Sequence, residues 1–412
     1  MLNNTQNTLL GLLCADFTKS DQNLIGDYDY TDWEELIEAA IRYRLGYQMN
    51  SFLARRPYLL EIVPDKLVVR LSQILKNQLY YNFAQISQLQ KILLACEKEK
   101  IQVILLKGLW LVEYVYRDPK ARLSGDIDLL VRPEDMPAFT AIAKKLNYVV
   151  PSDINNLMDL APASNEYALS SGKSNNIIDL HWSLTRPFKE KPIDEKRIWD
   201  RSESIVIGGV ACKTLSLEDH LLYLCFHTAI HHKFVYVGPR ALLDIACLID
   251  SPPRPIAWKA FVDQAREFKW SRGVWLTLDL VRENLGVSPP EYVLTMLAPI
   301  NFPSPEIRES FIRALFMDQF HNDKLSPNII SLIDASWSSK IGILFSRMFP
   351  SKIEIATQYG IPVGSPFFLF YYGKRLLYIA FIHLPRIMQI ILKNPDRIEE
   401  KERMARISRW LE

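Results

Sequence analysis

No CxxC pair and no HExxH occurs in this 412-residue chain, and its five cysteines (Cys14, Cys96, Cys212, Cys225, Cys247) are scattered. An odd, dispersed set does not make a disulfide framework or a zinc site. It fits buried thiols in a reducing compartment, so a cytoplasmic protein is expected. An excess of one charge is also missing. Lys and Arg number 49 against 47 Asp and Glu, which leaves +2. That is too little for a nucleic-acid footprint over the whole chain, and a long nucleic acid is disfavoured as a partner.

Long apolar runs are absent too. A spanning helix needs about 20 mostly apolar residues, and no uninterrupted run of that length occurs, so no transmembrane span is expected. The N-terminal "MLNNTQNTLLGLLCADF" has no basic lead and is broken by Asp16, which does not read as a signal peptide. The nearest approach to a span is "PFFLFYYGKRLLYIAFIHLPRIMQIILK", residues 366–393. Lys374, Arg375 and Arg386 interrupt it and Pro385 kinks it. It reads as a buried C-terminal helix pair, with a helix making peripheral membrane contact or docking a partner as the other reading. Internal repeats and low-complexity tracts are missing as well.

What is present is the composition of a soluble globular protein, 49% hydrophobic and 23% charged, with length for two or three domains. The first hundred residues read as helical. "TDWEELIEAAIRYRLGYQM" opens with Thr31 as N-cap and Glu34 at the capping-box position, followed by Trp33, Leu36, Ile37, Ala40 and Ile41 at helical spacing. A second helical pattern runs from Lys66 to Glu99. The texture then changes. "IQVILLKG" is a short apolar run ending in Lys107-Gly108, a buried strand turning into a helix. "DIDLLVR" is a second strand, and "NEYALSS" and "NIIDLHWSL" flank "GKSN" as a hairpin. After Pro187 the chain is expected to be helical again. "SLEDHLLYLCFHTAIHH" begins with Ser216 as N-cap and Asp219 at the box position. The implied organisation is a helical region 1–99, an α/β core 100–187, a helical accessory domain 188–335 and a helical tail 336–412, the last part of which mixes both charge signs.

Strand alternation puts Asp126, Asp128 and Leu130 on one face of "DIDLLV", with Ile127, Leu129 and Val131 in a core. In "IIDLHWSL", Asp179 and His181 lie opposite the apolar face. If the two strands are neighbours, Asp126, Asp128 and Asp179 converge. Three ionised carboxylates side by side repel, and a divalent cation relieves that repulsion. Oxygen ligands in this number suit Mg²⁺ held together with substrate phosphates, and two such ions can clamp an in-line phosphoryl displacement. The complementary part is the strand–Lys107–Gly108–helix junction. There glycine allows close backbone approach, helix N–H groups attract phosphate, Lys107 adds a point charge and Arg122 a fork. Gly125 immediately precedes the aspartate pair. His181 could hold a substrate phosphate or orient Asp179.

The ordered set "LLKGLWLVEYVYRDPKARLSGDIDLLV" and "IIDLHWSL" resembles the uncharacterised nucleotidyltransferase family of the DNA polymerase β-like superfamily. The resemblance implies an α+β fold, a small mixed-sheet nucleotidyltransferase core flanked by N- and C-terminal helical regions. It implies that Asp126 and Asp128 are metal ligands, and that Asp179 is the third carboxylate, a ligand and the base for an incoming hydroxyl. One departure stands out, Lys107-Gly108 where Gly-Ser is usual. The expected activity is Mg²⁺-dependent transfer of a nucleoside monophosphate from an NTP, with two ions and release of pyrophosphate, to an unknown acceptor that is a small molecule, peptide or protein. The rival readings are an inactive nucleotide- or partner-binding module and another phosphoryl transferase on the same scaffold. His220, His227 and His231 fall on one helix face and read as a polar face, a cleft lining or a metal pair. Asp244, on another apolar helix, is a candidate partner for one of them.

Overall fold

The computed structural model describes residues 2–13, 28–150, 165–171, 177–186, 192–317, 367–378 and 405–411, with Ile25, Glu190 and Ile355 as single positions. The chain divides into two compact units. One is formed by residues 1–149, 165–302 and 312–317, the other by 150–164, 303–311 and 318–412.

Within the first unit seven strands form one mixed sheet: β1 (Val103–Leu105), β2 (Ile127–Val131), β3 (Tyr148–Val149), β4 (Glu166–Ser171), β5 (Ile177–His181), β6 (Glu203–Ile207) and β7 (Val210–Thr214). Their order is β3-β4-β5-β2-β1-β7-β6. The pairs β2–β5 and β1–β7 are parallel, while β1–β2, β3–β4, β4–β5 and β6–β7 are antiparallel. With helices before and after the sheet, the architecture is α+β, as the sequence led us to expect. Every residue of β1 and β2 is buried, Leu130 included, so the central strand is covered on the carboxylate face as well. A strand closed in on both sides reads as a continuous apolar run, and this one admits polar side chains only at its first residues.

Two local expectations need correction. The helix Tyr30–Arg42 is capped by Asp29 rather than Thr31. The Asp32 N–H donates to Asp29 Oδ1 at 2.9 Å, and the Asp29 N–H donates back to Asp32 Oδ2 at 3.1 Å. The box is of the expected kind, built two residues earlier. The sheet also runs past residue 187. The β6–β7 hairpin turns at Gly208 and Gly209, both at positive φ (57° and 83°), the conformation a two-residue hairpin turn needs. The apolar runs around "GG" carry that signal in the sequence. Ser216 does cap the helix Leu217–Phe226, accepting from the Asp219 N–H at 3.2 Å.

The long helix Asp65–Lys98 does more than support the sheet. Its buried stripe is apolar at both ends (Leu67, Leu71, Leu75; Leu89, Ile92, Cys96) but carries Gln78, Asn82 and Gln85 in the middle. These amides face the loop that enters β2. Asn82 Nδ2 donates to Pro119 O and Arg122 O, each at 2.7 Å, and its Oδ1 accepts from the Ser124 N–H at 3.0 Å. Gln78 donates to Lys120 O, and the Tyr81 hydroxyl donates to Gly125 O at 2.9 Å. A loop so held cannot drift, because each buried carbonyl would otherwise lose its partner.

In the second unit the helix Phe368–Tyr378 packs Phe368, Tyr371 and Tyr372 with Ile355. Phe367, Leu369, Phe370 and Leu377 are exposed. The remainder of the expected helix pair, 379–393, lies outside the described residues. Among the described residues no helix is long and apolar enough to cross a membrane.

Candidate active site

Parallel pairing of β2 with β5 sets Asp128 directly beside Asp179, in a register that also aligns Ile127 with Ile178 and Leu130 with His181. Asp126 stands two residues before Asp128, on the same side of the strand. One carboxylate oxygen from each of Asp126, Asp128 and Asp179 can be chosen so that all lie within 4.8 Å of one another. Asp128 is buried; the other two are half-buried.

The three carboxyls are not equivalent. Burial opposes ionisation of Asp128, but Lys107 and His181 overcome it and hold its pKa well below the usual range. Lys107 Nζ lies 3.0 Å, and His181 Nε2 3.3 Å, from the same oxygen, Asp128 Oδ1. The charge on Asp128, together with burial, raises the pKa of Asp126. Burial and then the charges of Asp126 and Asp128 push Asp179 up to about 7. Two of the three groups therefore resist ionisation for want of positive charge. Hard oxygen donors in that state fit a divalent cation, whose charge would remove the repulsion.

Lys107 is the first residue of the helical turn Lys107–Trp110 that follows β1. The β1–β2 pairing, extended by the Leu106 N–H to Asp128 O bond at 3.0 Å, brings the ammonium over the carboxylate. Its other neighbours are His227 Nε2 at 3.2 Å and the face of the Tyr223 ring, 5.7 Å to the centroid. Burial works against this ammonium, but Asp128, then Tyr223 and Asp126, hold its pKa above the ordinary lysine value. Gly108 is required sterically. A Cβ there would lie 2.6 Å from Ser124 Oγ, 3.4 Å from Asp126 O and 3.6 Å from Asp128 Oδ2. His181 is wedged between Asp128 and Glu166. Its Nδ1 is 3.1 Å from Glu166 Oε2, at ion-pair distance but without hydrogen-bond alignment. It thus orients Asp128 rather than Asp179.

Arg122 sits elsewhere than the expected phosphate fork. Its Nε and Nη2 donate to Asp244 Oδ1 and Oδ2 at 2.8 and 3.0 Å, and Nη1 donates to Gly108 O at 3.2 Å. The Tyr116 hydroxyl adds a 2.8 Å bond to Asp244 Oδ1. Asp244 therefore pairs with Arg122 and not with a histidine. A guanidinium whose fork is filled and buried is a brace between the helix Arg240–Asp250 and the Lys107-Gly108 turn.

The three expected histidines divide into one core residue and a stacked pair. His220 belongs to the core: its ring stacks on Trp110 at 3.6 Å and 11°, Thr214 Oγ1 is 2.6 Å from Nε2, and burial drives its pKa well down. His227 reaches Lys107. His231 Nδ1 lies 3.1 Å from Glu190 Oε1. The chain from His227 to His231 forms a wide π turn, and the two rings stack at 5.4 Å with His232 beside them, 4.4 Å from His227. The i, i+4 pair of the sequence thus meets, and His220 and His227 both reach the Lys107–Trp110 turn. Gln78, Tyr81, Asn82 and Glu166 escaped the sequence reading. The one available signal is the amide residues at core spacing in the long helix.

With this geometry in place, comparison with known families matches residues 29–286 to a family model described as uncharacterised nucleotidyltransferase. No curated protein and no solved structure matches the chain.

Proposed function

We propose that this chain, which belongs to the uncharacterised nucleotidyltransferase family, moves a nucleoside monophosphate from an NTP to an acceptor hydroxyl with Mg²⁺, in a two-ion site. The observation that carries the reading is the parallel register that sets Asp179 beside Asp128 and gathers three carboxylates, two of them uncompensated. Asp126, Asp128 and Asp179 would hold the cations, which when bound would supply positive charge to the α-phosphate and the leaving oxygen.

The chain's own groups do the rest. Asp179 takes the proton of the acceptor hydroxyl as its oxygen attacks the α-phosphorus. The bond to the β-phosphate oxygen breaks and pyrophosphate leaves. Lys107 fixes Asp128 in one rotamer and brings a permanent positive charge to the phosphates, and His181 holds Asp128 from its other side. Gly108 and Gly125 let the backbone close around the site. The helices from Leu217 onward, expected as the accessory region, contribute His227 and Asp244 to its surroundings. A reducing, cytoplasmic setting fits the odd, scattered cysteine set, of which Cys96, Cys212, Cys225 and Cys247 are free.

The test is incubation with each labelled NTP and Mg²⁺ in the presence of cell extract, following pyrophosphate and the mass of the labelled product. A product heavier by a nucleoside monophosphate is expected. A product heavier by one phosphate, or NTP binding without pyrophosphate release, would discard the reading.

A further inference from the structure

Around the 122–126 turn that delivers Asp126 the chain gathers three guanidiniums, Arg122, Arg240 and Arg44, and two carboxylates, Asp126 itself and Asp244. Asp244 is occupied on both oxygens by Arg122 and on one also by Tyr116. Arg240 donates to Leu123 O at 2.7 Å, and among the described residues no carboxylate lies within ion-pair distance of it. Arg44 closes the turn from the opposite end of the sequence. Its Nη1 and Nη2 stand 3.1 and 3.8 Å from where a Cβ on Gly125 would be, so the guanidinium lies against the glycine that precedes Asp126. Arg44 has no hydrogen-bond or ion-pair partner for its side chain among the described residues. Burial and then repulsion from Arg122, partly offset by Asp244 and joined by Arg44, lower the pKa of Arg240 to about 9.

Arg44 is the left-handed residue that ends the helix Tyr30–Arg42, with its N–H on Ile41 O and the Leu45 N–H on Ala40 O, and Arg240 opens the helix Arg240–Asp250. Arg44 has φ 60°, and the loop leading to Arg240 contains Lys233, Phe234 and Tyr236 at φ 53°, 64° and 63°. Two forks without carboxylates, next to a metal-binding aspartate, match the several oxygens of a polyphosphate.

We propose that Arg44 and Arg240 seat the terminal phosphates of the donor nucleotide, the pyrophosphate that leaves. The identity of this anion rests on the nucleotidyl-transfer reading; the seat itself rests on the arginine geometry. Arg122, expected for this task, instead braces the turn from behind.

The experiment is calorimetric titration of the full chain with inorganic pyrophosphate and Mg²⁺, using wild type, Arg44→Gln, Arg240→Gln, Arg240→Lys and the control Arg70→Gln, with thermal unfolding of each. Loss of a charged hydrogen-bonding partner should weaken binding about tenfold or more in each Gln variant, with Arg240→Lys intermediate and Arg70→Gln unchanged. Arg44 is exposed, so its variant keeps the proposal testable if Arg240→Gln unfolds. Wild-type affinity in both Gln variants, or no pyrophosphate binding by wild type, overturns the seat. So does binding of orthophosphate but not pyrophosphate through the same arginines, which would assign the seat to a phosphorylated acceptor. Arginine-dependent pyrophosphate binding without release from any NTP leaves the seat standing and removes the transfer reading. NTP turnover with unchanged KM in both Gln variants does the reverse.

Discussion

Gly108 touches two charge clusters built in opposite ways. Its carbonyl accepts from Arg122, whose remaining donors meet both oxygens of Asp244, with Tyr116 completing the set. Its Cα faces Ser124 and the strand that carries Asp126 and Asp128. There carboxylates crowd together with Lys107 and His181 both committed to a single oxygen. In the first cluster every charge has a partner, and its free energy is complete in the folded chain. In the second, like charges are held close by strand register, and the free energy that folding leaves unrecovered is available to a ligand. The same residue types are paired in one place and left in repulsion in the other, and what separates them is satisfaction.

The largest effect that sharpens this contrast is Asp126→Asn. Pyrophosphate release from NTP should fall by about 10³-fold or more, the scale of removing a group at the reacting centre. The unfolding midpoint should stay level or rise, because repulsion from Asp128 disappears. Retained turnover would mean that the crowded cluster is not a reaction site. Arg122→Met is the mirror experiment. It leaves Asp244 buried without its cation and should cost about 3–5 kcal/mol in urea unfolding. Adding Asp244→Leu should restore most of that, short of wild type because Tyr116 then lacks an acceptor. If Arg122→Met unfolds like wild type, the satisfied half of the comparison fails.

A smaller effect follows from Asp179. Folding raises its pKa from 3.8 to about 7. Between these values the folded chain binds a proton that the unfolded chain has released, so stability declines as pH rises through the window. In chelator, Asp179→Asn should therefore gain on wild type between pH 5 and pH 8 by a few kcal/mol at most, roughly 1.4 per unit of pKa. Mg²⁺ at pH 8 should close the gap by stabilising wild type alone, by about 2.7 kcal/mol at a hundredfold excess over Kd. Equal pH profiles for the two proteins in chelator would show that Asp179 is not held under repulsion.

Much of the second cluster is legible in the sequence, because alternation and register are short-range rules: "DIDLLV" and "IIDLHW" each place their aspartates without knowledge of the rest of the chain. Three things are not legible. Arg122 carries the composition of a phosphate fork, but Asp244 lies 122 residues away, and only tertiary packing brings the two together. The histidines keep their helical spacing, but their partners Trp110 and Lys107 lie over a hundred residues away. The β6–β7 hairpin carries a "GG" signal, yet it sits between helices, and its parallel pairing with β1 is a contact between residues over a hundred apart. Gln78 and Asn82 show the same limit from the other side. Their helical spacing is plain, but the carbonyls that justify burying an amide belong to another segment.

The smallest effect tests the hinge between the clusters. In Gly108→Ala the new Cβ would come within 2.6 Å of Ser124 Oγ, closer than such contacts occur. Ser124 Oγ donates to Asp126 O at 3.0 Å, so moving it disturbs the turn before the aspartate pair. Overpacking of this kind costs about 1–3 kcal/mol, and a matching loss of turnover is expected. Combining it with Ser124→Ala removes the clashing atom. The next contacts, Asp126 O at 3.4 Å and Asp128 Oδ2 at 3.6 Å, are ones an ordinary Cβ makes. The double variant should therefore recover most of the stability, less about 1 kcal/mol for the lost hydrogen bond. It should recover turnover as well, because neither cluster has lost a charge. If Ser124→Ala fails to rescue, the constraint at Gly108 lies in its backbone contact with the carboxylate strand, and the two clusters are coupled through that contact rather than merely adjacent.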